Sequence, residues 1–287
     1  MNILVTGAAG QLGRELQNVA AGSKDNYIFT DLATGYEHLD ITSLEAIRTI
    51  IRDKSVSVAV NCAAYTDVDK AESDKAAASM LNSDAPGYLA KAMQETGGKL
   101  VQVSTDYVFD GNANVPYNED CPTGPTGVYG RTKLEGERNV LSAMPDAIIV
   151  RTAWLYSPYG RNFVKTIRRI AAERDSIKVV FDQVGTPTYA KDLAAAIFSI
   201  IESRQLDKGG IYHFSNEGVC SWYDFAKAIC RLSGISCEVL PCHSDEFPSP
   251  VNRPHYSVLD KTKIKETFGF KVPYWADSLS DCISKME

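Results

Sequence analysis

The sequence predicts an α/β chain of the doubly wound, Rossmann type: a parallel sheet followed by a smaller, irregular carboxy-terminal lobe. Three observations carry this. Short apolar runs of strand length alternate with longer helical patterns through the first half, the order in which βαβ units are written. The first run passes directly into Gly7-Ala8-Ala9-Gly10-Gln11-Leu12-Gly13 and then into a helical pattern. Beyond Trp154 the alternation degrades into isolated helices, short strands and a proline-rich stretch.

Strands are expected at 1–6, 27–31, 56–61, 99–104 and 147–152, with helices at 11–19, 43–53, 73–96 and 128–141 between them. Right-handed crossovers bring the carboxyl ends of such strands to one edge, where sheets of this kind bind ligands. Later come a helix at 163–173, a strand at 178–181, a helix at 191–203, a strand at 211–214, a helix at 221–233 and the proline-rich stretch 241–254. No Gly/Ser linker and no internal repeat divides the chain. The expected division is a dinucleotide-binding portion at 1–153 and a lobe at 154–287, some of whose segments return to the core.

The 287 residues, 44% hydrophobic, suffice for one large core but not for two full enzymatic domains. A formal net charge of −6 argues against a nucleic-acid partner, since phosphate-backbone binding needs surplus Lys and Arg. The opening MNILVTGAAG lacks the charged region and long apolar region of an export signal, and no apolar run is long enough to span a bilayer. A cytoplasmic location and no membrane association are expected. The seven cysteines are scattered without a CxxC pair, which fits a reducing compartment. Cys237, Cys242 and His243 offer too few ligands for a tetrahedral metal site and read as a solvent-facing loop after a strand.

Glycines at 7, 10 and 13 permit a tight turn and close approach of backbone to a pyrophosphate, which the helix N-terminus then attracts. Asp31, 18 residues after Gly13, ends the second strand where a carboxylate can accept hydrogen bonds from an adenosine ribose. It repels a 2′-phosphate and so favours NADH, whereas Arg14 can partly accommodate the phosphate of NADPH.

Tyr129 and Lys133 share one helical face at i, i+4. A ketone reduced by hydride needs a proton on the developing alkoxide. A tyrosine supplies it when a neighbouring ammonium brings its pKa toward working pH, and the same ammonium can grip the nicotinamide ribose. Thr105, at the end of the fourth expected strand, can donate to the carbonyl oxygen. An aromatic just after a strand edge, Trp154, can stack on a sugar or base or fill the core.

The GxxGxxG spacing resembles that of extended short-chain dehydrogenases/reductases. That loop, NCAAYTDVDKAE, STDYVFDG, YGRTKLEGE, RTAWLY, GRNFV, DQVGTPTY and GIYHFSNEGVCSWYDFA, in this order over nearly the whole chain, resemble the dTDP-4-dehydrorhamnose reductase family. The resemblance implies reduction of the C4 ketone of dTDP-4-dehydro-L-rhamnose to dTDP-L-rhamnose with NADPH or NADH. It implies Tyr129 as proton donor, Lys133 as its modulator, Thr105 with Asp106 as the substrate-binding pair, and Trp154 against the sugar nucleotide. It implies that the carboxy-terminal lobe binds substrate, with Asn162 and Arg253 toward the diphosphate. Implied cofactor contacts are Gly10, Gln11, Leu12, Asp31, Asp40, Ile41, Ala64, Tyr65, Thr66, Tyr129 and Lys133; Asp40 reads equally well as a capping carboxylate before the helix at Ser43. Some family members form Mg²⁺-bridged dimers, for which Glu15 is the candidate ligand; monomer or homodimer stays open, and a lone helical Glu is more often a solvated charge.

Two rivals share the fold. A sugar-nucleotide dehydratase or epimerase is one, but the dehydratase triplet Thr-Asp-Glu reads Thr105-Asp106-Tyr107 here. The other is a non-catalytic regulatory subunit like that of methionine adenosyltransferase, against which stands the intact Thr/Tyr/Lys group.

Overall fold

A strand covered by helices on both faces needs apolar residues at nearly every position, and the computed structural model, which describes residues 1–247 and 251–286, puts the longest such runs at its centre. In chain order the strands of the main sheet begin with β1 (Asn2–Thr6), β2 (Asn26–Asp31), β3 (Glu37–His38), β4 (Val58–Asn61), β5 (Lys99–Thr105) and β6 (Ile148–Thr152). Then come β7 (Leu155–Tyr156), β8 (Ser176–Val180), β9 (Val184–Gly185), β10 (Thr188–Tyr189), β11 (Gly210–His213), β12 (Cys220–Ser221) and β13 (Glu238–Cys242). The helices are α1 (Gln11–Ala20), α2 (Leu44–Asp53), α3 (Val68–Ala71), α4 (Lys75–Ser79), α5 (Ala85–Glu95) and α6 (Val128–Ala143). They continue as α7 (Phe163–Ala172), α8 (Ala190–Glu202), α9 (Trp222–Leu232), α10 (Thr262–Phe268) and α11 (Trp275–Ser284).

The main sheet runs β3-β2-β1-β4-β5-β6-β11 and its pairings are all parallel. The chain winds outward from β1 to β3, then returns to β4 and winds the other way. That reversal opens a crevice at the carboxyl ends of β1 and β4, the expected ligand position of an open α/β sheet. Successive strand residues serve opposite cores. Ile3, Val5, Val58, Val60, Val101, Ile148 and Val150 meet α1, α8 and α10 through Leu16, Ile197 and Ile264. Leu4, Ala59, Leu100 and Ile149 meet α2, α5 and α6 through Ile51, Met93 and Val140.

A third core gathers α7, β8, α9, β13 and α11 around Ile167, Val179, Phe225, Val239 and Leu279. From the carboxy-terminal half, β11 joins the main sheet as an edge strand, and α8 and α10 pack on that sheet through residues such as Ile197 and Phe268. No described helix is long and apolar enough to cross a membrane.

Several local expectations are corrected. The helix expected at 73–96 is broken: α4 gives way to a π-helical turn at Met80–Asp84 before α5. Pro86 brings no N–H to the carbonyl of Asn82, and an added Cβ on Gly136 of α6 would lie only 2.0 Å from that oxygen. The bulge turns the Asn82 side chain onto the loop after β4, where it accepts from Tyr65 N at 2.9 Å and donates to Tyr65 O at 3.0 Å. The segment with Cys237 and Cys242, expected as a loop, contains β13, which pairs with β8 as a two-stranded sheet. Pro241 is tolerated there because the strand is an edge. Residues 248–250 of the expected proline-rich stretch lie outside the described residues. The cysteines are all free.

Candidate active site

Residues on separate strand ends converge in one cleft of about 800 Å³. Its walls include Gly7, Gly10, Gln11, Leu12 and Gly13 from the first loop and α1, Asp31, Asp40, Ile41, Ala64 and Thr66 from the loops beyond β2 and β4, and Thr105, Asp106, Tyr129, Lys133, Trp154, Asn162 and Arg253. Tyr65 is not in that wall. Its hydroxyl donates to Asp74 at 3.2 Å and its ring packs against Ala71, Ala78 and Val128.

The first loop is shaped for a phosphate. Gly7 has φ +67°, and a Cβ on it would fall 2.6 Å from Ala63 N. A Cβ on Gly13 would fall 2.4 Å from Gly7 O. No side chain caps α1, so its first-turn N–H groups and positive dipole end face the cleft wall that Gly10 to Gly13 form. This cradle, which any side chain would fill, fits the pyrophosphate of a dinucleotide. Asp31 fastens the loop: its two carboxylate oxygens accept from Ala9 N at 2.9 Å and Ala33 N at 3.0 Å. Asp40 accepts from the backbone N–H and hydroxyl of Thr42, which hold its carboxyl below the ordinary value. The cap of α2 is Ser43, which accepts from Ala46 N. Arg14 is exposed with its guanidinium over the Tyr159 ring, 5.4 Å from the centroid.

The Tyr/Lys/Thr group is assembled by close helix packing. Gly130, between Tyr129 and Lys133, lets α6 approach the end of β5, since a Cβ there would meet Tyr107 O at 2.2 Å. Glu72 anchors the start of α6 by accepting from Val128 N at 2.6 Å. Lys133 is 4% exposed and its ammonium donates to Val103 O at 2.8 Å. Burial lowers its pKa to about 8 against the opposing pull of Glu137. Burial also pushes the Tyr129 phenol well up, opposed by the facing Thr105 hydroxyl. The expectation that Lys133 depresses Tyr129 is therefore not met: the ammonium is turned to a carbonyl, and Tyr129 stays protonated at neutral pH. A protonated phenol is the form a proton donor requires.

Thr105 ends β5, accepts from Tyr107 N at 3.3 Å and donates to Asp106 Oδ1 at 2.9 Å. Asp106 is 4% exposed, and its Oδ2 has no hydrogen-bond partner. Burial raises its pKa to about 7, so near neutrality this carboxyl can donate or accept toward a bound hydroxyl. Tyr107 packs edge-on to Tyr129 at 5.5 Å, and burial raises its phenol to about 12.

The remaining expected residues have structural partners as well. Trp154 adopts φ +48°, unusual for a bulky side chain, and stacks on Trp222 at 3.5 Å. It both borders the cleft and packs on two apolar clusters. Asn162 caps α7 through Lys165 N and donates to Gln11 Oε1 at 2.9 Å, tying the lobe to the first loop. Arg253 makes two 3.0 Å hydrogen bonds to the carboxylate of Asp69. Glu15, buried in α1, accepts from Asn18 at 3.2 Å and lies outside the cleft wall. Among the described residues no cluster of three or more His, Cys, Asp or Glu can hold a metal.

Sequence reasoning missed three features of the site. Trp222 reads as an ordinary residue in the first turn of a helix. Ser157, which donates to Gln11 Oε1 at 3.1 Å, carries no motif. The buried pair Glu137–Arg151 did leave a signal: an Arg inside the apolar strand IIVRT, and a Glu one turn beyond Lys133.

His213 lies behind this pair, 0% exposed, with Nδ1 at 3.0 Å from Tyr117 O. Burial, then Arg151, lowers its pKa to about 3. Its contribution to stability is complete above the unfolded imidazole value of ~6.5. As pH falls from there toward 3, the unfolded chain takes up a proton that the folded chain excludes, and stability falls. Thermal unfolding measured across this range should show the loss, and His213→Asn, which keeps a donor for Tyr117 O, should flatten it.

The chain is similar to known proteins over its whole length. The family model described as RmlD substrate binding domain matches residues 1–287. A probable dTDP-4,6-dihydroxy-2-methyloxan-3-one 4-ketoreductase of Streptomyces antibioticus is 42% identical over 283 residues, covering 98% of this chain and 94% of the relative. The crystal structure of a dTDP-4-dehydrorhamnose reductase from Clostridium acetobutylicum superposes with a TM-score of 0.94 at 44% identity, over 100% of this chain and 99% of that one. That of Bacillus anthracis, in complex with NADP, gives 0.93 at 36% identity over 99% of each. With the phosphate loop, the strand-end threonine and the YxxxK helix in one cleft, the chain belongs to the dTDP-4-dehydrorhamnose reductase family.

Proposed function

We propose that the chain reduces the C4 ketone of dTDP-4-dehydro-L-rhamnose to the alcohol of dTDP-L-rhamnose. The observation that carries this reading is the single cleft in which the glycine cradle leads to Thr105, Tyr129 and Lys133. A reduced nicotinamide, when bound, supplies the hydride. Thr105 donates a hydrogen bond to the carbonyl oxygen and stabilises the charge that develops there. Tyr129 gives that oxygen its proton, because an alkoxide is a far stronger base than a phenolate. Lys133, turned from Val103 O, holds the nicotinamide ribose. Asp106 meets a neighbouring sugar hydroxyl with its unpaired oxygen, and Trp154 forms the apolar wall beside the sugar. Arg253, released from Asp69, and Asn162 face the diphosphate, so that residues 154–287 supply most of the substrate contacts and residues 1–153 most of the cofactor contacts.

Elimination, the dehydratase reading, lacks a second carboxyl beside Asp106, since Tyr107 occupies that position. A regulatory role would not require a complete Thr/Tyr/Lys group. Loss of reduced-nicotinamide absorbance on adding dTDP-4-dehydro-L-rhamnose tests the proposal. Turnover supports it, and cofactor binding without turnover moves the substrate to another dTDP-4-keto sugar or removes catalysis.

Both NADPH and NADH are admitted, and Asp31 sets their ranking. A carboxylate near a 2′-phosphate opposes NADPH, so Asp31→Ser should raise the NADPH/NADH ratio of kcat/KM about tenfold, a change of roughly 1.4 kcal/mol. Steady-state kinetics with each cofactor read it directly. A Mg²⁺ at Glu15 would require ligands from a second copy, which makes ion and homodimer one joint proposal.

A further inference from the structure

Beneath the cleft lies a buried ionic group that none of the steps above uses. Arg151 of β6 donates to Glu137 of α6 through Nε at 2.9 Å and Nη2 at 2.7 Å, and both side chains are 3% exposed. Ser104 of β5 donates its hydroxyl to Glu137 Oε1 at 2.5 Å. Ser104 and Arg151 are register partners across β5 and β6, and each precedes a threonine at its strand's end, Thr105 and Thr152. One turn before Glu137, Lys133 donates to Val103 O. The catalytic helix thus holds two consecutive residues of β5, immediately before Thr105, with one cation and one anion.

Buried ion pairs are weak sources of stability, because desolvation offsets their attraction. Keeping this one calls for another account, and its position suggests one. We propose that Glu137, oriented by Arg151, is a positioning residue that sets an anion one helical turn beyond Lys133 and fixes the Ser104–Thr105 strand end against Tyr129. The groups that face Lys133 are Glu137 on α6, Cys62 just after β4 and the Val103 carbonyl on β5; Arg151 reaches it through Glu137. Of the charges named there, the Glu137 carboxylate is the one that favours the ammonium most. Cys62 is half-buried, and desolvation raises its thiol pKa to about 12, so at neutral pH it brings no charge.

The inference rests on the reductase reading of the cleft, and its test separates the two. Binding of NADPH is followed by tryptophan emission across pH, and kcat and KM with dTDP-4-dehydro-L-rhamnose over the same range, in Glu137→Gln and in Glu137→Gln/Arg151→Met. The double variant removes both charges, so it folds without an orphaned guanidinium. In either variant, whichever folds, the alkaline limb of NADPH binding should move down by about one pH unit. With it kcat should fall about tenfold to a hundredfold through loss of geometry at Thr105, with little change in KM for the sugar. A folded double variant with the wild-type limb and wild-type kcat would overturn the proposal and leave the pair as scaffolding. The binding limb needs no turnover, so a wild-type protein inactive on the sugar refutes the reductase reading while this test still stands.

Discussion

Tyr129→Phe should lower kcat by about a thousandfold, within the 10²–10⁴ range of positioned acid–base groups, and leave binding of reduced cofactor nearly intact. The substitution removes one oxygen from a ring packed edge-on to Tyr107 at 5.5 Å, and the rest of the ring keeps its contacts. Thr105→Val should cost less, roughly a hundredfold, because it removes one donor to the developing charge but leaves the proton source in place. Rapid-mixing and steady-state kinetics, with cofactor affinity measured separately, check both. A Tyr129→Phe enzyme with wild-type kcat would place the proton source elsewhere, and Asp106 would be the next residue to examine.

The second large effect is expected at the phosphate loop. Gly13→Ala puts a Cβ 2.4 Å from Gly7 O and 2.6 Å from Ala8 Cα, both backbone atoms that cannot swing aside. The first turn of α1 must then lift from β1, and the N–H groups aimed at the pyrophosphate lose their alignment. Reduced-cofactor affinity should fall at least a hundredfold, and unfolding should occur with stability lower by about 1–3 kcal/mol. Gly7→Ala should be comparably damaging, since it adds a close contact to Ala63 and a strained φ of +67°. Calorimetric titration and thermal melts measure the two consequences separately.

How far such residues can be read from sequence depends on the range of the forces involved. Gly7, Gly10, Gly13 and Asp31 are legible because a tight turn and a strand end are local, and their chemistry follows from backbone approach alone. Tyr129 and Lys133 are legible as a pair because helical periodicity puts them on one face. Their electrostatics were not. The direction of the Tyr129 shift depends on burial by β5 and on where the Lys133 ammonium turns, and both are tertiary facts.

The broken helix shows the same limit. Residues 73–96 hold two alanine-rich helical stretches joined by Asn82-Ser83-Asp84 and Pro86-Gly87, and the π-helical turn at Met80–Asp84 meets the demands of Pro86, Gly136 and the Tyr65 loop together. The short strands β7, β9, β10 and β12 are two residues each, too brief to show any period. Arg253 was legible as a cation before a proline, but its pairing with Asp69 joins residues 184 positions apart. Arg151 was visible as a charge in the apolar strand IIVRT and Glu137 only as one of several charges after Lys133, and only the packing of α6 on β5 and β6 shows what they hold.

The proposed reaction delivers a hydride to C4 of a dTDP-4-keto sugar and takes the proton on oxygen from Tyr129. Its most direct test is incubation of the protein with dTDP-4-dehydro-L-rhamnose and NADPH carrying deuterium at nicotinamide C4, with the product examined by proton NMR. The expected product is dTDP-L-rhamnose with one deuterium at C4 of the sugar and none elsewhere. Unlabelled product, deuterium at another carbon, or substrate recovered unchanged beside an intact cofactor would contradict it.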